Sequence, residues 1–277
     1  MAMNVVEKCD CGHEISIGAT SCNVCNNHVG FPNVRKAIHE EQALANRYMN
    51  ANASVKLKGL ESKKEMLESA MDNSFVIMSR NLVDLISALG DNRMISTFHQ
   101  QVAGNARNYE NNEYDPKRDG YESIVSPGYY RDIHYGILSL TDSGSSYYGG
   151  ASIKLNTAFI KNRTTFFEED VYTFVEKHQV SATSNPPKGY RATWDKKNTL
   201  AVCKLHSKFS ANQTVEEMKS LLYSEENNMD YIEAHIHGTI TSQIFEKVTI
   251  LDKDDSMVTC AKILLSNKNI EFQVRGE

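Results

Sequence analysis

The chain has 277 residues, 40% of them hydrophobic and 23% charged, a balance ordinary for a folded protein with room for about two domains. Its net charge of -5 excludes a broad duplex-wrapping basic surface but leaves room for a local basic groove. No apolar run approaches the ~18 residues of a membrane span, and the opening MAMNVVEKCDCG has no apolar core of signal-peptide length. A cytoplasmic protein with no membrane partner is expected.

Four of the six cysteines, Cys9, Cys11, Cys22 and Cys25, fall in the segment CDCGHEISIGATSCNVCN. In a reducing compartment such a cluster reads as a metal site rather than disulfides. Two short knuckles supply the four soft ligands of a tetrahedral zinc, and Gly12 lets the chain turn close to it. Ile15, Ile17 and Ala19 can form a small hairpin between the knuckles. The segment resembles bacterial zinc ribbons, although its first knuckle is one residue shorter. His13 or His28 is therefore an alternative to Cys9. So small a ribbon draws its folding energy from the metal, and residues 1–32 are expected to be this unit.

Asn33 can cap a helix that follows. Val34, Ile38, Leu44, Tyr48, Val55, Leu60, Leu67 and Met71 recur at roughly helical intervals. They predict one long helix, or two broken near Ala51–Gly59. FVIMS (Phe75–Ser79) reads as a short strand or buried turn, and Asn81–Leu89 as a short helix ended by Gly90. Residues 33–91 are expected to form a helical arm, serving as a spacer or as a docking surface for a partner.

From 92 to 277 an α+β domain is expected. Its strands are STFHQQV (Ser96–Val102), DIHYGILSL (Asp132–Leu140), GGASIKL (Gly149–Leu155), TTFFEEDVYTF (Thr164–Phe174), TLAVCKL (Thr199–Leu205), YIEAHIHG, KVTIL (Lys247–Leu251), AKILL (Ala261–Leu265) and IEFQV (Ile270–Val274). VEEMKSLLYSEE (Val215–Glu226) is the one clear helix. Asn105–Gly120, Thr141–Tyr148 and Ser184–Lys197 read as loops. Cys203, in an apolar run, is core filling rather than a nucleophile. No Walker loop, dinucleotide Gly-x-Gly-x-x-Gly or Gly-x-Ser-x-Gly elbow is present.

The chemistry concentrates in YIEAHIHG. On a strand, Tyr231, Glu233, His235 and His237 share one face, and Ile232, Ala234 and Ile236 the other. The polar face has three readings. It is a solvated or self-satisfied seam; it is a metal site using Glu233, His235 and His237; or it serves group transfer. In the metal reading, the outer members lie roughly 13 Å apart along the strand, so a distant residue would have to complete the site.

YIEAHIHG, preceded by YYGGASIKL and RTTFFEED, resembles the strand motifs of bacterial ADP-ribosyltransferase-fold proteins, and STFHQQV with GNAR resembles their first motif. The resemblance spans about Ser96 to Ile250. It implies transfer of ADP-ribose from NAD through an oxocarbenium-like transition state, with Glu233 stabilising the positive ribose. It places His99, with Gln101 on the same face, on the adenosine ribose or a phosphate, and Arg107 (alternatively Arg131) on the diphosphate. Ser152 then lies under the nicotinamide ribose and Tyr148 on nicotinamide, with Gly149 and Gly150 permitting close approach. Tyr231 stands where arginine-modifying enzymes carry a second glutamate. An aromatic there favours stacking on a base, hence a nucleic-acid acceptor (RNA before single-stranded DNA) over protein. The resemblance further implies a toxin of a toxin–antitoxin or phage-defence system, with an antitoxin partner. Two other function classes remain open: a non-enzymatic zinc-ribbon adaptor for nucleic acid or protein, and a metal-dependent enzyme built on His235 and His237.

Overall fold

The computed structural model describes residues 7–91, 93–109, 114–142, 144–181, 183–223 and 230–276. In the ribbon, β1 (Glu7–Lys8) and β2 (Glu14–Ile15) pair antiparallel. Helix α1 (Pro32–Leu57) starts one residue before the expected cap, with Phe31 at the cap and proline in the first turn, where its missing N–H is no loss. The left-handed Gly59 (φ +65°) breaks the helical run before α2 (Glu61–Met71). Asn33 therefore does not cap. It is buried, and its Nδ2 donates to the carbonyls of Arg163 and His235, both at 3.0 Å.

Next come β3 (Phe75–Arg80), α3 (Leu82–Gly90, capped by the Asn81 side chain), α4 (Phe98–Ala103), α5 (Asp115–Val125), β4 (Ile133–Ser139), β5 (Ala151–Leu155), α6 (Thr157–Ile160) and β6 (Thr164–Phe167). The chain continues with α7 (Val171–Lys177), β7 (Arg191–Thr193), α8 (Lys197–Leu205), α9 (Val215–Leu222), β8 (Glu233–His237), β9 (Phe245–Ile250), α10 (Asp255–Asn267) and β10 (Glu271–Val274). The eight-stranded sheet has the order β10-β9-β5-β3-β4-β8-β6-β7. Its pairs are antiparallel except β9 with β10.

This mixed helix–sheet architecture agrees with the expected α+β class, but several elements differ. Ser96–Val102 is not a strand. Thr97 accepts from the N–H of Gln100, whose side chain accepts from the N–H of Thr97, and that reciprocal capping box starts α4. Thr199–Leu205 and Ala261–Leu265 belong to α8 and α10. Both runs are short and apolar, where periodicity does not separate a buried helix from a buried strand. Thr164–Phe174 divides at Asp170, which caps α7 by accepting from the N–H of Thr173 at 2.9 Å. The expected loop Asn105–Gly120 contains the start of α5, and Ser184–Lys197 contains β7. The helix expected at Val215–Glu226 is present to Leu222, and 224–226 lie outside the described residues.

The expected arm at 33–91 is not a separate unit, because β3 is hydrogen-bonded between β5 and β4 inside the sheet. Leu44, Ala51, Val55, Leu67 and Met71 pack into one core with Val76, Met78, Leu138, Ile153, Ala234, Ile236, Val202 and Leu265. Most of the apolar stripe that suggested a docking surface is thus consumed by the fold, while Ile38 stays 54% exposed. A second core of Val125, Phe167, Val171, Phe174 and Val175 lies under α5 and α7 on the opposite sheet face, the face that carries Glu233.

Asn33→Ala leaves two buried carbonyls short of a donor. A loss of about 1–3 kcal/mol is expected, read as a lower urea midpoint at unchanged m value.

Candidate active site and metal centre

Every residue of β8 is buried. Ala234 and Ile236 face the main core, while Glu233, His235 and His237 face the other way, as the alternation requires. Burial overturns the solvated form of the seam, since Glu233 is 7% exposed and His235 0%, whereas the self-satisfied form agrees with the contact between these two side chains. His235 Nε2 lies 2.8 Å from Glu233 Oε2. Its ring meets Tyr135 edge-on at 5.0 Å and the tilted ring of Phe167 at 5.4 Å. His237 instead lies beside Phe31 and Tyr129, at 5.7 and 6.4 Å between ring centres. The three side chains do not converge on one point, so the expected metal grouping is not assembled.

Burial raises the Glu233 carboxyl pKa well above the ordinary value, with Asp170 and Glu122 adding to the rise, while Arg118 and the N–H of Val171 oppose it. Arg118 projects from α5, bonds Glu122 at 2.5 Å, and lies 4.3 Å over the Phe98 ring. Arg107 lies 4.7 Å over the same ring and 3.6 Å from Asp115. Arg80 ends β3. Its Nη1 donates to the Ser79 carbonyl at 3.0 Å, and its Nε has no protein acceptor. Burial, together with the fields of Arg118 and Arg107 and against that of Asp84, lowers its pKa to about 10. Three guanidinium groups thus gather in one region, and Arg118 joins them electrostatically to Glu233.

Arg80 escaped the sequence reading. His99, expected on a strand, lies on helix α4, whereas Arg80 ends β3, the first strand of the large sheet. The signal was available in FVIMSR, an apolar run ending in arginine just before a helix cap.

His99 sits on α4, with Nε2 2.8 Å from Glu122 Oε2 and its ring 4.9 Å from that of Tyr130. It reaches the Glu233 region only through Glu122, which also holds Arg118. Gln101 does not share a strand face with it; its amide donates to Asp84 at 3.3 Å. Arg131 is exposed and donates to the Tyr130 hydroxyl at 3.0 Å. Tyr148 and Tyr231 come together, with hydroxyls 3.1 Å apart, in the electrostatic neighbourhood of Glu233. Ser152 shares the sheet face of Glu233, but β3 and β4 intervene, a lateral separation of about 14 Å. Its Oγ accepts from the N–H of Gly144 at 2.9 Å. The close approach at Gly149 (φ +146°) is to Arg80, since a Cβ there would meet the Arg80 carbonyl carbon at 2.3 Å. Cys203 is buried, and burial pushes its thiol up to about 11, as core filling implies.

The four ribbon cysteines place their sulfurs within 4.8 Å of one another. Cys9–Cys25 are 3.5 Å and Cys11–Cys22 3.6 Å apart, near the ~3.8 Å that tetrahedral ligands at ~2.3 Å from zinc require. The backbone N–H groups of Cys25 and Val24 lower the Cys22 thiol to about 6. Against the backbone bonds of His13 and Asn27, burial and crowding among the four sulfurs raise the Cys11 and Cys25 thiols, a repulsion between thiolates that a dication would relieve. Of the alternatives to Cys9, His13 Nδ1 lies 3.8 Å from Cys11 Sγ, while His28 Nδ1 accepts from the N–H of Gly30 at 3.2 Å. The set fits zinc with Cys9 as a ligand. Arg35 clamps the ribbon to α1 through the Glu7 carboxylate and the carbonyls of Ala19, Gly30 and Ile17.

No protein-family model matches the chain, and no curated protein matches its sequence. Among solved structures, it is similar to Thermus sp. 2.9 DarT in complex with carba-NAD+, with 10% identity over 73% of this chain and 95% of that one and a TM-score of 0.37. A likeness of that degree assigns no activity here.

Two outcomes follow from the site. Purified protein is expected to carry one zinc per chain by metal analysis, lost together with ribbon folding in Cys11→Ser or Cys22→Ser. The second concerns Glu233. A carboxyl that stays protonated when folded binds more protons than the unfolded chain above pH ~4.3. Its contribution to stability therefore falls as pH rises from there. Glu233→Gln removes that loss, so its Tm should exceed that of the natural protein by about 2–5 °C at pH 8. The gap should close toward pH 4.

Proposed function

We propose that the protein transfers ADP-ribose from NAD to a macromolecular acceptor. The observation that carries this reading is the buried Glu233 carboxyl linked through Arg118 to Arg80 and Arg107. A dinucleotide with a cationic leaving group asks for that pair of features: guanidinium donors for the diphosphate and a carboxylate where ribose charge develops. The motif resemblance supports the same chemistry. In the reaction the bond between ribose C1′ and the nicotinamide nitrogen breaks and nicotinamide leaves with the bonding pair. The acceptor then bonds C1′ and gives up its proton.

Glu233 acts as the carboxylate. The positive nicotinamide ribose favours ionisation of a group that burial otherwise keeps protonated. Arg80, Arg107 and Arg118 take the diphosphate. Tyr148 stacks on nicotinamide, and its hydroxyl contact with Tyr231 parts as substrate enters. Tyr231 lies on the acceptor side, where stacking on a base favours nucleic acid, RNA first. His99 positions Arg118 through Glu122 and has no direct contact with NAD, a change from the role the family resemblance implied. A toxin role in a toxin–antitoxin or phage-defence system accompanies this reading, on the resemblance alone.

Nicotinamide release from NAD, measured with and without total bacterial RNA, single-stranded DNA and lysate protein, tests the reading. Release is expected to need one acceptor and to fall on the order of 10²–10³-fold in Glu233→Ala. Arg80→Met should raise KM for NAD more than it lowers kcat. Acceptor-independent release would mean NAD hydrolysis. Neither release nor NAD binding would end the transferase reading. The toxin role predicts growth arrest on expression of the natural protein but not of Glu233→Ala.

A further inference from the structure

His235 is an unusual neighbour for a reacting carboxylate. It is wholly buried, and its ring cannot turn, because Tyr135 and Phe167 hold it from two sides. Its backbone is fixed as well, since the His235 carbonyl accepts from Asn33 Nδ2 at 3.0 Å. With Nε2 directed at Glu233, the question is which nitrogen carries the proton.

The surrounding charge answers it. Arg191, on β7, and Lys36, on α1, both lie in the field of the ring and both donate to the Val125 carbonyl at 2.8 Å. His235 Nδ1 has no hydrogen-bond partner, and neither do Arg191 Nε and Nη1. The Glu40 carboxylate, 3.7 Å from Arg191 Nε, stands beside these two cations and offsets part of their charge. A positive field favours a lone pair on Nδ1 over an N–H, and it opposes a second proton on the ring. The proton then sits on Nε2, 2.8 Å from Glu233 Oε2, an oxygen that can accept from it as the carbonyl oxygen of the protonated carboxyl or as part of the carboxylate. Around Glu233 itself stand Asp170, the N–H of Val171, Glu122, Arg118, Tyr135, Tyr148 and Tyr231. Burial and the acidic neighbours favour the protonated carboxyl. Arg118, the Val171 N–H and His235 are the groups that favour the anion.

The geometry points to His235 as a positioning residue: a permanently neutral imidazole whose Nε2–H orients the Glu233 carboxylate and favours its ionised form. This rests on the proposed transferase reading for its consequence in catalysis, though not for the tautomer. Burial, followed by Arg191 and Lys36, lowers the His235 pKa well below the usual value, so the pair does not collapse into imidazolium and carboxylate. Lys36 itself is lowered to about 7 by burial and Arg191. Its charge, and with it part of the field on His235, weakens above neutral pH, where His235 is neutral in any case.

Two measurements test this. Nitrogen-labelled histidine NMR of the full chain should show His235 as the neutral Nε2–H tautomer from pH 8 down to about 5. An Nδ1–H tautomer, or an imidazolium at pH 6, overturns the proposal without any reference to activity. The second is the pH profile of nicotinamide release. His235→Ala should move the acidic limb of kcat/KM upward by about one to two pH units, as loss of a hydrogen bond to a charged group implies. His235→Gln, which keeps a donor, should restore the limb. Lower activity with an unmoved limb would reduce His235 to packing. Should Glu233→Ala leave nicotinamide release unchanged, the transferase reading fails while the tautomer result still stands or falls by itself.

Discussion

Placing a carboxyl and an imidazole side by side inside a β-sheet is the constraint on which the rest of this face depends. Neither group tolerates burial without partners, and β8 cannot provide them alone. Helix α5 brings Arg118 and Glu122, α7 the N–H of Val171, β7 Arg191, and α1 Asn33 and Lys36. The two cations near His235 also do a second job. They meet at the carbonyl of Val125, the last residue of α5, where a helix exposes acceptors and the negative end of its dipole. The groups that set the field on His235 thus also anchor the helix that carries Arg118 to Glu233.

The same economy ties the zinc ribbon to this face. Gly18 lies so close to Gly128 that a Cβ would come within 2.3 Å of its carbonyl oxygen, and Gly128 leads directly to Tyr129. Tyr129 and Phe31 flank His237 at the far end of β8. The ribbon therefore braces one end of the strand that holds Glu233. That gives a metal-stabilised module a structural purpose whether or not it also binds nucleic acid or a protein.

Much of this arrangement was legible in the sequence because it is local. Alternation identified β4, β5, β8 and β9, and the cysteine spacing brought out the ribbon. The segment Asn81–Leu89 carried its own cap and stop. What stayed hidden depends on context. The apolar run TLAVCKL suits a strand or a buried helix equally, and its burial against the main core decides for α8. STFHQQV looks like a strand until the Thr97–Gln100 reciprocal bonds are weighed above its aromatic and β-branched content. The Glu233 face could be read as a row of polar residues, but not as a buried one, because α5 and α7 lie far away in sequence.

The site itself is non-local to a degree that short motifs do not encode. Arg80, Arg118 and Glu233 stand on β3, α5 and β8, separated by more than a hundred residues between the last two, and Arg118 is the group in the field of both others. Conversely, His99 and Arg107 are close in sequence yet differ in what they touch: His99 is spent on Glu122, while Arg107 stacks on Phe98 beside Arg118. Motif matching gave these two residues parallel tasks. Side-chain partners separate them, since a histidine already bound to a buried carboxylate has little left for a phosphate. Arg107 stacks on Phe98 and lies 3.6 Å from the Asp115 carboxylate, and a guanidinium, with five donors in a planar fork, can serve more than one acceptor.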